Sequence, residues 1–162
     1  MLGTPGFTRT AASHSLTSSG SATLVFTSAG AYPNCRITFS SGTLTGTSVN
    51  ATWTAGSADH LTCSFSPNPI PVNSSAVSVA TVAVRDVVGN VVTNGSYSVS
   101  FSRTAGGTTT FNSSQNPQST TSGYAYFTVG ASTTTGTDTY TPSIASGTNL
   151  PGTNQGCPIS VQ

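Results

Sequence analysis

Short β-prone runs recur along this chain, and clusters of turn residues separate them. The runs are rich in Val, Thr, Phe and Tyr, which favour a pleated, half-buried surface. They span residues 21–27, 35–40, 49–54, 60–65, 75–85, 91–92, 96–102, 123–129, 137–142 and 156–161. No window repeats apolar residues at the i, i+3, i+4, i+7 spacing of a helix over three turns. The pattern therefore predicts an all-β chain that folds as an antiparallel sandwich or barrel.

The composition is dominated by hydroxyl side chains and carries few charges. The 162 residues include 27 Ser and 30 Thr, against four Arg, three Asp, and no Lys or Glu. A net charge of +1 argues against disorder, which accompanies low hydrophobicity and high net charge. Nucleic-acid binding requires clustered positive charge, whereas the four arginines are scattered along the chain. We therefore expect a folded chain with no nucleic-acid partner.

The hydroxyl-rich composition also bears on where the protein resides. A surface of hydroxyls is hydrated without Lys or Glu and offers few sites to proteases that cut at charged residues. No run approaches the roughly 20 apolar residues of a membrane span, so none is expected. Residues 1–5 lack the charged start and apolar stretch of a signal peptide. We predict an extracellular or cell-surface location.

Four Asn-X-Ser/Thr sequons fit such a location. They lie at Asn50, Asn73, Asn94 and Asn112. Their asparagines are possible glycosylation sites in a secreted protein of a glycosylating organism. In a chain this rich in Ser and Thr, sequons also arise by chance.

Three cysteines leave one thiol over if a single disulfide forms. Cys35 and Cys63 both lie in alternating, strand-like segments that could be neighbours, so the first choice is a Cys35–Cys63 disulfide. The second choice is Cys63 with Cys157, because the first and last strands of a domain can lie side by side. A zinc site needs four ligands with short paired spacings, which three isolated cysteines with His14 and His60 do not provide. No metal or cofactor is expected.

Prolines at positions 67, 69 and 71 mark the clearest apparent boundary. Such a run is extended and poor in backbone donors, which is typical of a linker or of an edge strand that opens a domain. We expect three parts: a flexible arm over residues 1–20, a small or incomplete β subdomain over 21–66, and a larger sandwich over 67–162. The four strand candidates of the second part are few for a closed two-sheet core.

Three runs follow one another within residues 66 to about 145. They are Ser66-Pro67-Asn68-Pro69-Ile70-Pro71-Val72-Asn73, the Val-rich run 78–92 ending in Asp86-Val87-Val88-Gly89-Asn90 with Val99-Ser100-Phe101 after it, and Gly123-Tyr124-Ala125-Tyr126-Phe127. Their order resembles the bacterial immunoglobulin-like repeats of the invasin and intimin type. The resemblance implies an immunoglobulin-like antiparallel β-sandwich of the kind found in surface adhesins and extracellular fibres, without catalysis.

The residues of these runs also have direct physical interpretations. Asp86 opens a turn, because its side chain can accept downstream N–H groups while Gly-Asn tolerates positive φ. Alternation after Gly123 predicts Ala125, Phe127 and Val129 on the core face. Tyr124 and Tyr126 then lie on the opposite face and are candidate contact residues. Trp53 is a further aromatic candidate, for which partial burial is the more ordinary interpretation.

The Val-rich run 75–85 places apolar residues on both sides of a strand. Val77 and Val79 stand at odd positions, whereas Val82 and Val84 stand at even positions, and alternate positions point to opposite faces. This predicts either a bulge near residues 80–81 or a strand covered on both faces.

An enzymatic role is not expected. Glycoside hydrolysis generally needs two carboxyls across one site, and Asp59, Asp86 and Asp138 are the only side-chain carboxyls. A Ser-His-Asp triad is disfavoured because no Gly-X-Ser-X-Gly elbow occurs, and because adjacent Asp59 and His60 should point to opposite faces of a strand.

Two function classes remain. The first is a non-enzymatic structural protein, a subunit or stalk module of a cell-surface filament or adhesin, with copies of itself or other surface proteins as partners. The second is a ligand-binding sandwich for a carbohydrate or receptor, such as a phage fibre or decoration domain. The run 21–27 suggests assembly by strand donation, because it follows the arm and precedes an under-stranded region. The alternative is that this run is the first strand of its own domain.

Overall fold

The computed structural model describes residues 7–9, 26–28, 32–41, 44–111 and 116–162. In the strands up to residue 53 it describes the backbone, and side chains only at Asn50 and Thr52. The chain divides into two compact units, unit 1 (Met1–Ala55) and unit 2 (Gly56–Gln162). Every helix or strand assigned in the described residues is a β-strand, which confirms the predicted all-β class.

The described residues of unit 1 form two antiparallel strand pairs. Strand β1 (Phe7–Arg9) pairs with β2 (Phe26–Ser28). Strand β3 (Tyr32–Ser41) pairs with β4 (Leu44–Trp53) as a hairpin. The predicted arm over residues 1–20 therefore contains a paired strand, whose three residues are too few to give a periodic signal. The remainder of the arm and most of the run 21–27 lie outside the described residues.

The described residues of unit 2 form eight strands in two four-stranded sheets. They are β5 (Ala58–Ser66), β6 (Val77–Asp86), β7 (Ser98–Ala105), β8 (Thr109–Phe111), β9 (Gln118–Ser119), β10 (Tyr124–Ala131), β11 (Gly136–Ser146) and β12 (Cys157–Val161). The first sheet has the order β5-β6-β10-β8, and the second has the order β12-β11-β7-β9. All their pairings are antiparallel.

This order is the strand arrangement of an immunoglobulin-like domain. In a constant-type domain, strands A, B, E and D form one sheet and C, F and G form the other. Here β5, β6, β10 and β8 take the first set of positions, while β7, β11 and β12 take the second. The expected immunoglobulin-like antiparallel β-sandwich is confirmed for unit 2.

Aromatic rings from both sheets fill the core of unit 2. Phe101 of β7 is fully buried and stacks on Phe127 of β10, with ring centroids 5.0 Å apart. Phe101 also stacks on Tyr140 of β11, with ring centroids 5.1 Å apart and ring planes 14° from parallel. Phe65 and Phe111 complete the cluster through tilted and edge contacts. Such large side chains dominate core energetics, because each buries about 150–250 Å².

The proline-rich run 66–72 crosses between the two sheets of unit 2. Strand β5 pairs with β6 as far as Ser66, and Ile70 then forms a parallel bridge with Val161 of β12. Successive backbone N–H groups of a strand point to opposite sides. The prolines occupy the positions whose N–H would point away from β12, so no hydrogen bond to β12 is lost. The predicted boundary between residues 66 and 67 is therefore not where the chain divides. The units meet at residues 55–56, and β5 belongs to the sandwich.

The chain enters and leaves unit 2 at opposite ends. β5 begins beside Asp86, since Ala58 pairs with that residue, and it runs away from the Asp86 turn. β12 runs parallel to this first segment, as the Ile70–Val161 bridge requires. Gly56 therefore lies at the end that carries the Asp86 turn, and Gln162 lies at the other end.

Candidate functional site

A disulfide joins the first and last strands of unit 2. The sulfurs of Cys63 on β5 and Cys157 on β12 are 2.05 Å apart, and the Cα atoms are 5.6 Å apart. The first-choice pair Cys35–Cys63 is therefore wrong, and the second choice is correct. The reason is topological: β5 pairs with β6, whereas β3, which contains Cys35, pairs with β4. Cys35 has no remaining cysteine partner within this sequence.

The outward side of the first sheet presents an apolar and aromatic surface, which we call the outer face. It consists of Val77, Val79, Tyr124 and Tyr126, with neighbouring hydroxyl residues on β5, β6 and β10. Ala125, Phe127 and Val129 are at most 1% exposed, so the predicted facing of β10 is confirmed. Tyr126 is 52% exposed, and its ring is near-parallel to that of Tyr124 at 6.5 Å. Their role as contact residues stays a prediction.

Strand β6 explains why apolar residues occupy this outer face. Its register with β10 runs without a break from Ala83 to Val77, so the expected bulge near residues 80–81 is absent. The other expectation, coverage on both faces, holds in the second half of β6, where the consecutive residues Val82, Ala83 and Val84 are buried, and not in its first half. Val77 is 51% exposed and Val79 is 38% exposed. Both valines are therefore available for contact with another molecule.

The side chain of Arg85 borders the outer face and is held in place. Its Nε donates to Thr62 Oγ1 at 2.9 Å, and an Nη1 donates to the carbonyl of Gly89 at 2.6 Å. These two hydrogen bonds fix the guanidinium beside the Asp86 turn. Hydroxyl side chains of the face include Thr62, Ser64 and Thr81, and His60 of β5 lies opposite Arg85.

Asp86 organises the turn that follows β6, as the sequence predicted. Its Oδ1 accepts from the N–H groups of Val88 at 3.1 Å and Asn90 at 2.8 Å. Its Oδ2 accepts from the N–H of Gly56 at 2.9 Å, which fastens the start of unit 2. Burial raises the pKa of Asp86, but hydrogen bonds from Asn90, Gly56 and Val88 outweigh it, and the net pKa lies below its ordinary value.

Asp138 is fully buried on β11 and holds the β7–β8 connection. Its Oδ1 accepts from the N–H groups of Gly107 at 2.7 Å and Thr108 at 2.8 Å, and from the Thr108 hydroxyl. Its Oδ2 accepts from the N–H and the hydroxyl of Thr109. Burial raises the pKa of Asp138, yet the hydrogen bonds from Thr108 and Thr109 prevail and hold the pKa far below its ordinary value.

The Asp138 network continues into the aromatic core. The Thr109 hydroxyl lies 2.8 Å from the phenol oxygen of Tyr140, whose ring stacks on Phe101. Arg103 lies farther off, at 3.4 Å from Asp138 Oδ2, and is partly exposed. Sequence patterns gave no sign of this network, because its members are about 30 residues apart and meet only when β11 lies beside the β7–β8 connection.

The third carboxyl, that of Asp59, lies beside His60 and not on the opposite face of the strand, contrary to the expectation. Asp59 Oδ2 lies 2.9 Å from His60 Nδ1, although adjacent strand residues should point to opposite faces. The register with β6 shifts between Ala58 and His60, and this irregularity brings the two side chains together. The pair lies at the start of β5, where the carbonyl of Asp59 also accepts from the N–H of Gly152 at 2.8 Å.

The other sequence candidates lie apart from these features. Asn50, Asn73 and Asn94 are exposed, whereas Asn112 lies outside the described residues. Trp53 ends β4, opposite Tyr32, and its side chain is not described. Among the described residues, no group of three or more His, Cys, Asp and Glu could hold a metal ion. The same part of the chain contains no helix long and apolar enough to cross a membrane.

Comparisons with known proteins concern the fold. No family model and no curated protein matches the chain. A glycosyl hydrolase family 2 member from Bacteroides cellulosilyticus matches 86% of this chain at 16% identity and a TM-score of 0.58. A beta-glycosidase from Bacteroides vulgatus matches 88% at 13% identity and a TM-score of 0.55. The Yersinia pseudotuberculosis adhesin InvE matches 62% at 32% identity and a TM-score of 0.43.

The chain is much shorter than these structures. It spans 18% and 19% of the two glycosidase chains and 25% of the adhesin chain. At 16% and 13% identity, the likeness to the glycosidases concerns the fold and not the activity. It agrees with the architecture described above: an antiparallel β-sandwich in which unit 2 has the immunoglobulin-like strand order.

Proposed function

We propose that the chain is a non-enzymatic structural protein of the cell exterior, a stalk or subunit module of a surface adhesin or filament. The observation that carries the proposal is the path of the chain through unit 2, which enters at one end and leaves at the other. Modules with this geometry can be joined in series without folding back. The resemblance of residues 66 to about 145 to invasin- and intimin-type repeats supports the same role.

The disulfide and the composition support an extracellular location. Disulfides such as Cys63–Cys157 persist in oxidising compartments and are rare in the cytosol. A chain with 57 Ser and Thr residues and seven charged ones keeps a hydrated surface that is nearly neutral. Exposed Asn50, Asn73 and Asn94 would be accessible to glycosylation in an organism that glycosylates such sites.

The carboxyls support a role without catalysis. A glycosidase needs a carboxylic acid with a raised pKa to protonate the leaving group. Asp86 and Asp138 have lowered pKa values and accept several hydrogen bonds each, so both are held as carboxylates. Asp59 is the remaining carboxyl, which leaves no second carboxyl free to act with it.

Immunogold labelling of intact producing cells or particles tests this proposal. An antibody raised against the full chain should label the exterior, on projections that extend from the surface. Labelling that requires permeabilisation contradicts the proposal. An antibody to a known cytoplasmic protein, applied to the same specimens, controls for envelope integrity.

Filament assembly by strand donation belongs to the same proposal. We place the donor in residues 1–28, whose described strands β1 and β2 pair with each other. This pairing fits a strand pair that either completes its own unit or docks on an edge of another copy. Deleting residues 1–28 should abolish polymers and leave unit 2 folded. Formation of the Cys63–Cys157 disulfide in the shortened chain is the sign that unit 2 has folded. Filaments that persist after the deletion, or an intact chain that stays monomeric at high concentration, contradict donation.

The outer face favours a second candidate, a ligand-binding module. Exposed Tyr126 beside Tyr124 offers an aromatic surface of the kind that stacks on sugar rings, and Thr81 and Thr128 supply hydroxyls. Retention on glycan arrays should then be lost in Tyr126→Ala. The matched control is Val88→Ala, which removes an exposed apolar side chain at the Asp86 turn, outside the face. Retention that is equal in both variants contradicts binding at this face.

A further inference from the structure

Two segments of unit 2 lie side by side: residues 59–72 near its start and residues 152–162 at its end. At the beginning, the carbonyl of Asp59 accepts from Gly152 N, and the carbonyl of Leu61 accepts from Gln155 N at 2.9 Å. Leu61 N donates in turn to the side-chain oxygen of Asn154 at 2.9 Å. These bonds tie the outer edge of β5 to the loop that leads into β12. We call the complete line of contacts between the two segments the seam.

The seam continues beyond the disulfide through Asn68. Its Nδ2 donates to the carbonyl of Pro158 at 3.0 Å, and its Oδ1 accepts from the N–H of Ser160 at 3.0 Å. The side-chain amide thus takes the place of a strand backbone between two prolines. It bridges the gap between the end of β5 and the parallel pairing that follows.

Backbone hydrogen bonds complete the seam at the far end. Ile70 N donates to Ser160 O at 2.9 Å, and Gln162 N donates to Ile70 O at 3.0 Å. Val72 N then donates to Gln162 O at 2.7 Å. The two segments run in the same direction here, so a pull on Gly56 and Gln162 slides one along the other. In the reduced chain, sliding loads all of these bonds together, whereas peeling would break them one by one.

The disulfide lies in the middle of this seam and shortens the path of tension. Cys63 and Cys157 are 94 residues apart in sequence, and that whole length lies between the two sulfurs. Tension that enters at Gly56 reaches Cys63 along β5, crosses the S–S bond, and leaves along β12. Residues 64–156 therefore lie outside the direct covalent path between the two ends.

We propose that unit 2 is a tension-carrying link that hardly lengthens under load, with the seam resisting shear and the disulfide limiting extension. The use of this property in an assembled stalk rests on the proposed function. The property itself belongs to unit 2 and follows from the position of its ends. A failed localisation experiment would therefore leave the mechanical test unaffected, and a failed mechanical test would leave the extracellular location unaffected.

Single-molecule force spectroscopy of the full chain tests the disulfide part. The chain is tethered through peptide tags at its termini, so that no cysteine is consumed by the tether. Pulling the reduced chain should release about 33 nm more than pulling the oxidised chain, at roughly 3.5 Å per extended residue. Reduction of the wild type needs no substitution, so folding of a variant is not at issue. Equal lengths before and after reduction overturn the proposal.

The seam part is tested by two matched substitutions in the reduced chain. Asn68→Ala removes two hydrogen bonds between a side-chain amide and the backbone of β12. Asn116→Ala removes two bonds of the same kind, to the N–H and the carbonyl of Phe101 on β7, away from the seam. At a fixed force, Asn68→Ala should raise the unfolding rate about tenfold or more, from roughly 1 kcal/mol per bond. A smaller change is expected for Asn116→Ala. Equal rate changes in the two variants overturn the role of the seam.

Discussion

The rings of Phe101 and Phe127 stack across the interior of unit 2, one from each sheet, with centroids 5.0 Å apart and planes 20° from parallel. Both side chains are fully buried. The residue before Phe127 is Tyr126, whose side chain is half exposed on the outer face. Alternation along β10 thus separates a core aromatic from a surface aromatic at adjacent positions.

Substitution of these neighbours should have very different effects on stability. Phe127→Ala should lower the free energy of unfolding by about 3–5 kcal/mol, because burial is lost and a cavity remains. Tyr126→Ala should lower it by less than about 1 kcal/mol, since surface changes are usually small. Urea unfolding followed by circular dichroism measures both. Similar losses in the two variants would refute the facing of β10.

Adjacent glycines in the β7–β8 connection provide a second test. Gly106 has a φ of +89°, and a Cβ there would lie 2.6 Å from the carbonyl oxygen of Thr137. A Cβ added at Gly107 would have no atom within 4 Å outside its own and the adjacent residues. Gly106→Ala should therefore destabilise the domain by more than about 2 kcal/mol, and Gly107→Ala by less than about 1 kcal/mol. Thermal unfolding of the two variants measures the difference, and a reversed order would contradict the described loop.

Acid should weaken unit 2 through Asp138. Its folded-state pKa lies below the unfolded value, so its contribution is present above about pH 4 and is lost as the pH falls. Asp138→Asn should cost about 3 kcal/mol at neutral pH, because charge-assisted hydrogen bonds to Thr108 and Thr109 disappear. It should also reduce the loss of stability between about pH 5 and about pH 2. An unchanged pH dependence in urea unfolding would show that Asp138 is not the group responsible.

The strand pattern could be predicted from the sequence, because it depends on local residue preferences. Candidate runs such as 60–65 and 123–129 correspond to β5 and β10, with ends displaced by one or two residues. The Asp86 turn was also predictable, since its donors within the turn, Val88 and Asn90, lie within four residues of Asp86. Strands β8 and β9 were missed because two or three residues give no periodicity.

Long-range features could not be predicted in the same way. The choice between Cys35 and Cys157 as partner of Cys63 depends on which strands become neighbours, and local alternation does not encode this. The proline run was interpreted as a boundary because prolines remove backbone donors. Its remaining donors at Ile70 and Val72 all point to β12, so the run holds the sandwich together. Asp138 was likewise identified only as a carboxyl, without its distant partners.

The disulfide should account for a substantial part of the stability of unit 2. Closing a loop of 94 residues lowers the entropy of the unfolded chain, by an amount equivalent to about 4–5 kcal/mol in the chain-entropy description. The double variant Cys63→Ser, Cys157→Ser should lose stability of this order. Cys35→Ser is the matched control and should leave the midpoint of urea unfolding nearly unchanged. A larger loss for Cys35→Ser would contradict the assignment.

Peptide mapping of the native protein under non-reducing conditions tests the central claim that a disulfide joins the first and last strands of unit 2. Cleavage after Arg9, Arg36, Arg85 and Arg103, with free thiols alkylated beforehand, places each cysteine in a different peptide. We expect peptide 37–85 linked to peptide 104–162. Cys35 should not be linked to either of these peptides. A link between peptides 10–36 and 37–85, or three free thiols, would contradict the account.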